Sequence, residues 1–348
     1  MIHLIIKDGL GNQMFQYAFA RCLQEHYRFN DCEEMLSVNP YFINHRVFKD
    51  NDKREMSIQH LNLCDHIHFQ SLSEQRNSIR KFKISTLLSM NLCTLIKWRI
   101  QKIKPIGEKE FVKRVASGLY YTFGAYTYYG FPLSNKKDKY IFGFFQNEKN
   151  FYDISEQIKE ELKVKDNPTE ENAKMICRIL STNSVCLHIR RGDYLNPKWK
   201  NLKICDFEYY NTSINYILDN VYNPLFFVFS NTRKDLEWIK ENYHFYDKSG
   251  NRPLRMVYVD LNNPDYEELR LMYSCKHFII SNSTFSWWGA YLGSYDGKIV
   301  LAPYRWNLSD ENDEEMMKLY SQSVTGMTRD IMWPSLVSIV EKGKLKMT

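Results

Sequence analysis

The stretch SVCLHIRRGDYL, residues 184–195, decides how the chain reads. Val185 to Ile189 form a short, mostly apolar run, the pattern of a strand buried on both faces. Two arginines, a glycine and an aspartate then stand at its end. Downstream the pattern is regular: helix 206–220, strand LFFVFS, helix 233–242, strand RMVYVD, helix 265–276, strand HFIIS, helix 285–293, strand KIVLAP. Strands alternating with helices predict a parallel sheet covered on both faces. The apolar runs end in Arg190, Ser230, Asp260 and Ser281, and open α/β sheets bind ligands at that carboxyl edge.

Upstream, residues 2–6 read as a strand that meets DGLGNQ and then a helix with Phe15, Phe19 and Leu23 at helical spacing. Residues 30–75 read as short, irregular elements, and 84–103 as one helix with an apolar face. With 348 residues and 44% hydrophobic composition, the chain has material for two cores. The expected division is 1–155, a less regular N-terminal domain; 156–330, a doubly wound C-terminal domain; and 331–348, a C-terminal helix or tail.

Eight cysteines lie scattered without a CxxC pair or a Cys/His cluster at metal spacing, so reduced thiols and no resident metal are expected. The N-terminus starts as a strand without signal-peptide features, and no run of about 18 apolar residues suggests a membrane span. A cytoplasmic location follows as the expectation. Residues 76–114 hold eleven Lys or Arg against two Glu, so one segment carries the whole net charge of +6. That is a local patch rather than a nucleic-acid-binding composition. Two readings stay open for it: leucines packed inward beneath a solvated basic face, or weak peripheral contact with an anionic membrane surface.

Three constellations carry chemistry. In GLGNQ, residues 9–13, a strand–glycine–helix turn allows close backbone approach, and Asn12 and Gln13 can bond hydroxyls or phosphate oxygens; a plain tight turn is the alternative. In HIRRGDY, a strand-end arginine can fork onto a phosphate, with Asp193 either steadying it or taking a proton; a purely structural Arg–Asp pair is the alternative. In FIISNSTFSWWGAYLG, residues 278–293, a strand runs into a helix whose first N–H groups, at Ser283, Thr284 and Phe285, make an anion site unless they are simply capped. Together these suggest a diphosphate neutralised by Arg190 and a helix start rather than by a metal. The DND at 50–52 sits in a polar run and reads as a solvated loop.

GLGNQMFQYAFA, HIRRGDY and SNSTFSWWGAYL, in that order, resemble the bacterial α-1,2-fucosyltransferases of glycosyltransferase family 11, with FGFFQNEKNF and YVDLNNPDYEELRLMYSCKHFII extending the likeness. The resemblance implies a GT-B-like fold of two Rossmann-type domains facing across a cleft. It also implies metal-independent, inverting transfer of fucose from GDP-β-L-fucose to the 2-hydroxyl of a galactoside, with no cofactor beyond the donor. Arg190 maps to the β-phosphate arginine, and His188 and Asp193 share its motif as catalytic candidates. Donor contacts are expected from Gly11, Asn12, Arg191, Asp260, Glu268, Ser283, Thr284 and Phe285. Acceptor contacts are expected from Gln13, Gln146 and Glu148. The base could be Asp193, His188 or Glu148. Two departures stand out: DGLGNQ replaces the family's usual double glycine, and Asn231 follows FFVFS where an acid is usual.

Overall fold

A computed structural model describes residues 1–45, 55–90, 92–100, 107–197, 202, 205–247, 249–303, 306, 338–341 and 344–347. The chain forms two compact units, Met1–Leu162 and Lys163–Thr348. Each is α/β around a parallel sheet, as the alternating pattern requires.

The first unit has strands β1 (Ile2–Ile5), β2 (Leu36–Asn39), β3 (His68–Phe69), β4 (Leu119–Tyr121) and β5 (Lys139–Phe142). Their order is β3-β2-β1-β5-β4, every pair parallel. Helix α1 (Leu10–Phe29) follows β1 directly, and its Phe15, Phe19 and Leu23 are buried at the anticipated spacing. A single turn, α2 (Tyr41–Asn44), follows β2. The helix expected over 84–103 is two: α3 (Leu72–Leu88) and α4 (Leu92–Arg99). α3 begins twelve residues earlier than its apolar pattern because Ser71 and Glu74 form a reciprocal capping box. Ile79 and Phe82 of α3 pack on Ile5, Leu119 and Tyr140 of the sheet. Helix α5 (Glu108–Ala116) leads into β4.

Helix α6 (Ser155–Glu161) ends the first unit. The 155/156 junction expected from the sequence falls at its start. The helix stays with this unit because buried Ile158 anchors it and Glu161 accepts hydrogen bonds from Tyr17 and Arg21 of α1.

The second unit has β6 (Asn183–His188), β7 (Pro224–Phe229), β8 (Met256–Tyr258), β9 (His277–Ile279), β10 (Val300–Pro303), β11 (Ser338–Glu341) and β12 (Lys344–Met347). The sheet order is β12-β11-β10-β9-β6-β7-β8, parallel except for the β11–β12 pair. The C-terminal segment expected as a helix or tail therefore contributes two strands, β11 beside β10 and β12 at the edge. Helices α7 (Glu170–Leu180), α8 (Phe207–Asn220), α9 (Arg233–Asn242), α10 (Asp265–Tyr273) and α11 (Thr284–Leu292) separate the strands. Counted from β6, the first six strands follow the 3-2-1-4-5-6 order of dinucleotide-binding sheets, which reverses between β6 and β9. In the first unit β5 lies between β1 and the edge strand β4. Among the described residues, no helix is long and apolar enough to cross a membrane.

Candidate active site

In the second unit the two strands flanking the reversal are bridged by side chains at their carboxyl ends. His188, the last residue of β6, is buried and shares a 2.9 Å hydrogen bond between Nδ1 and Ser281 Oγ, just beyond β9. Two residues further along each strand, Arg190 Nη1 donates to Ser283 Oγ at 2.9 Å. Tyr194 lies under the arginine, its ring centroid 5.1 Å from the guanidinium carbon, and donates its hydroxyl to the Asn282 carbonyl at 2.7 Å. Asn282 is itself held by donating to the carbonyls of Leu202 and Trp306.

Ser283 is the N-cap residue of α11, yet its side chain makes no capping hydrogen bond. The ordinary explanation of SNST as a cap therefore fails: the hydroxyl serves Arg190 instead. The helix start keeps its positive dipole end beside a guanidinium, which suits an anion. Trp287 and Trp288 fix that start. Both are fully buried, and Trp287 stacks on Tyr291 at 4.7 Å. Gly289 lets α10 approach closely, since a Cβ there would stand 3.1 Å from Met272 Cβ and Cε.

The neighbouring arginine points elsewhere. Arg191 places its guanidinium carbon 3.9 Å from the centre of the Trp238 ring and pairs with Asp235 at 3.3 Å. It ties the RRG turn to α9. Asp235 also accepts from Thr232, and a Cβ on Gly192 would stand 3.0 Å from Asp235 Oδ2 and 3.5 Å from Asn231 Cβ. The turn thus rests on α9 through Asp235, one helical turn beyond the exposed Asn231 that replaces the usual acid.

Asp260 is exposed and pairs with Arg233 at 3.2 Å. Glu268 lies half-buried on α10, where burial, reinforced by Asp265, pushes its carboxyl up to about 8. Thr284 and Phe285 open α11 half-buried, with Phe285 6.3 Å from the His188 ring. The side chain of Asp193 lies outside the described residues, as do Asp50 and Asp52.

The first unit repeats the arrangement. Gln146, after β5, donates to Asn12 Oδ1 at 2.7 Å beyond the neighbouring ends of β1 and β5. Asn12 is half-buried in the first turn of α1 beside buried Gly11. Gln146 is delivered by a tight loop. Gly143 leaves no room for a side chain, since a Cβ would meet Thr122 Oγ1 at 2.3 Å. Phe145, at φ 55°, stacks on Phe19 at 3.9 Å. Glu148 follows, buried, in a short 3-10 turn that Asn147 caps.

Gln13 is not available to an acceptor. It donates to the Asp8 and Glu55 carbonyls at 2.9 and 2.8 Å and accepts from Ile58 N at 3.2 Å. Neighbouring helical residues point about 100° apart, and Asn12 and Gln13 take different partners. Here Gln13 turns into the core and locks the loop.

Among the described residues, one group could hold a metal ion: Cys22, His26 and Asp153. It lies about 15 Å along α1 from Asn12 at the helical rise. Burial pushes the Cys22 thiol up to about 12, so it stays protonated at neutral pH.

The profile of glycosyl transferase family 11 matches residues 1–323. The chain belongs to glycosyl transferase family 11. An α-1,2-colitosyltransferase of Escherichia coli is 37% identical over 47% of this chain and 54% of its own length. The O-antigen biosynthesis glycosyltransferase WbnK of Escherichia coli is 28% identical over 86% of this chain and 93% of its own. Galactoside α-(1,2)-fucosyltransferase 1 of Homo sapiens is 28% identical over 42% of this chain and 40% of its own. This chain thus spans about half the length of the first and third and nearly all of the second.

At the β6/β9 edge of this family 11 glycosyltransferase, Arg190 and the start of α11 lie together. Arg190 and Ser283, both singled out from the sequence, are joined here, while Ser281, Tyr194 and Asp235, which brace the same edge, were not among the candidates. Ser281 was legible as the polar end of an apolar run. Asp235 carried no local signal.

Proposed function

We propose that the enzyme transfers fucose from GDP-β-L-fucose to the 2-hydroxyl of a terminal galactose in a glycan, inverting the anomeric centre without a metal ion. One observation carries the reading: Arg190 meets an uncapped helix start at the reversal point of the second sheet. A guanidinium and a helix dipole together stabilise the negative charge that accumulates on a departing diphosphate, the part a divalent cation plays in other transferases.

Glu268 suits the guanine of the same donor. A carboxylate accepts well from the N1–H and N2–H edge that guanine presents. His188 orients the β6 edge through Ser281 and is a positioning residue in this reading. Asn12, fixed by Gln146, offers its amide to sugar hydroxyls. Asp193 and Glu148 are the candidates to receive the galactose proton, and a late proton transfer lowers the demand on either.

A relative named as a colitosyltransferase favours a second reading, in which another GDP-linked sugar is the donor. A panel of GDP-sugars with one galactosyl acceptor separates the two, with nucleotide release and product linkage read by NMR. GDP-fucose should give the highest kcat/KM and an α-1,2 product, and activity should survive EDTA. Preference for another sugar overturns the donor. Complete loss on chelation, restored by one divalent ion, overturns the metal-free chemistry and brings Asp50 and Asp52 back into play.

A further inference from the structure

Helix α3 packs one face on the first sheet through Ile79 and Phe82, as described above. Its opposite face at the C-terminal end is apolar and uncovered: Ile84 is 47% exposed, Leu87 50% and Leu88 78%. Helix α4 adds Ile96, 42% exposed, and Ile100 just past its end is 73% exposed. Of the leucines expected from the sequence to pack inward (Leu88, Leu92 and Leu95), Leu88 instead faces solvent. Exposed apolar residues occurring singly need no explanation, but a group on one helix end does.

The charges around this face have one sign. From Gln75 to Gly107 the sequence holds eight Lys or Arg and no Asp or Glu. Arg80 and Lys83 are exposed one turn before Ile84 and Leu87, so cations precede the apolar residues along the same side of the helix. Lys81 is engaged with Asp138 at 3.1 Å and belongs to the fold.

We propose that this face of α3 and α4 docks on an anionic lipid bilayer, with Leu87 and Leu88 entering the headgroup region and Arg80 and Lys83 meeting lipid phosphates. An amphipathic basic helix binds this way, by apolar insertion together with attraction to anionic headgroups. A second copy of the chain is a poor occupant, because two surfaces of like charge would meet. The inference uses neither donor nor acceptor, so it stands or falls separately from the transferase reading.

Flotation of the full-length protein with vesicles tests it, comparing phosphatidylcholine alone with phosphatidylcholine containing phosphatidylglycerol, at low and high salt. Binding should require phosphatidylglycerol and weaken with salt. Arg80→Glu with Lys83→Glu should reduce bound protein about tenfold or more. Leu87→Ser with Leu88→Ser should reduce it at every salt concentration. Both pairs are exposed, and circular dichroism checks that the variants fold. Absence of flotation at low salt overturns the proposal. So does flotation indifferent to both double variants, or a dimer in vesicle-free buffer that the leucine variant abolishes.

Discussion

Arg190 and Ser283 lie 93 positions apart in the chain, yet Nη1 of one donates to Oγ of the other at 2.9 Å. The bond crosses the point where the strand order of the second sheet reverses. In the first unit Gln146, after β5, and Asn12, after β1, are joined at 2.7 Å beyond two neighbouring strands. Where strand order reverses, neighbouring connections leave in opposite directions, and a ligand can reach the strand ends.

The two adjacent arginines should separate in their effects. Arg190→Lys should lower kcat/KM by about a hundredfold or more without lowering the melting temperature, since one ammonium cannot replace a planar fork on a diphosphate. Arg191→Ala should lower stability by roughly 1–3 kcal/mol, because it strands buried Asp235 and uncovers Trp238. Steady-state kinetics with thermal melts on both variants checks the contrast. A stable, fully active Arg190→Lys variant would contradict it.

Gln13 and Gln146 should separate as well. Gln13→Ala removes three hydrogen bonds, two to the Asp8 and Glu55 carbonyls and one from Ile58 N, and should destabilise by about 2–4 kcal/mol while sparing acceptor KM in the folded fraction. Gln146→Ala releases Asn12 and should raise acceptor KM several-fold with a smaller effect on stability. Equal losses of stability in the two variants would remove the distinction.

Glu268 gives the pH dependence. With its carboxyl raised from 4.5 to about 8, the folded chain keeps a proton that the unfolded chain has released between those values. This group therefore subtracts stability as pH rises through that window, at up to about 1.4 kcal/mol per pH unit. Melts of Glu268→Gln and the parent should agree near about pH 5, with the variant gaining as pH approaches about 8.5. GDP affinity of the parent should rise over the same window, because guanine requires the carboxylate. A flat difference between the melts would show that the carboxyl titrates normally.

Asp8 shows why the family's double glycine can be broken. It holds φ 66°, the left-handed region that glycine enters freely and that Asp and Asn tolerate best among residues with a Cβ. Asp8→Gly should change stability by less than about 1 kcal/mol, whereas Asp8→Val should cost about 1–3 kcal/mol. Denaturant titration of both variants reads the difference, and a neutral valine would mean that the turn relaxes.

The alternation of strands and helices was legible because the apolar runs of the second unit are short and separated by helical stretches, and Arg190 and Ser281 stand at the ends of two of them. α3 was placed late because apolar spacing was weighed above Ser71 and Glu74, although a capping box is itself visible in sequence. Gln13 was misplaced because it is polar and next to Asn12, while helical geometry sends adjacent side chains in different directions. The role of Arg191 could not be read at all. It depends on Asp235 and Trp238, which the fold alone brings to the turn. The paired tryptophans looked too costly for a routine helix, and their place in the core explains them.

The claim that matters most is that Arg190 and the start of α11 hold the donor's diphosphate. Isothermal titration of GDP and guanosine, with EDTA present, tests it on the parent and on Arg190→Ala. The parent should bind GDP far more tightly than guanosine, and the variant should lose most of that difference, at least about 2 kcal/mol for a charge-assisted contact. An Arg190→Ala protein that is folded and binds GDP as tightly as the parent would contradict the account.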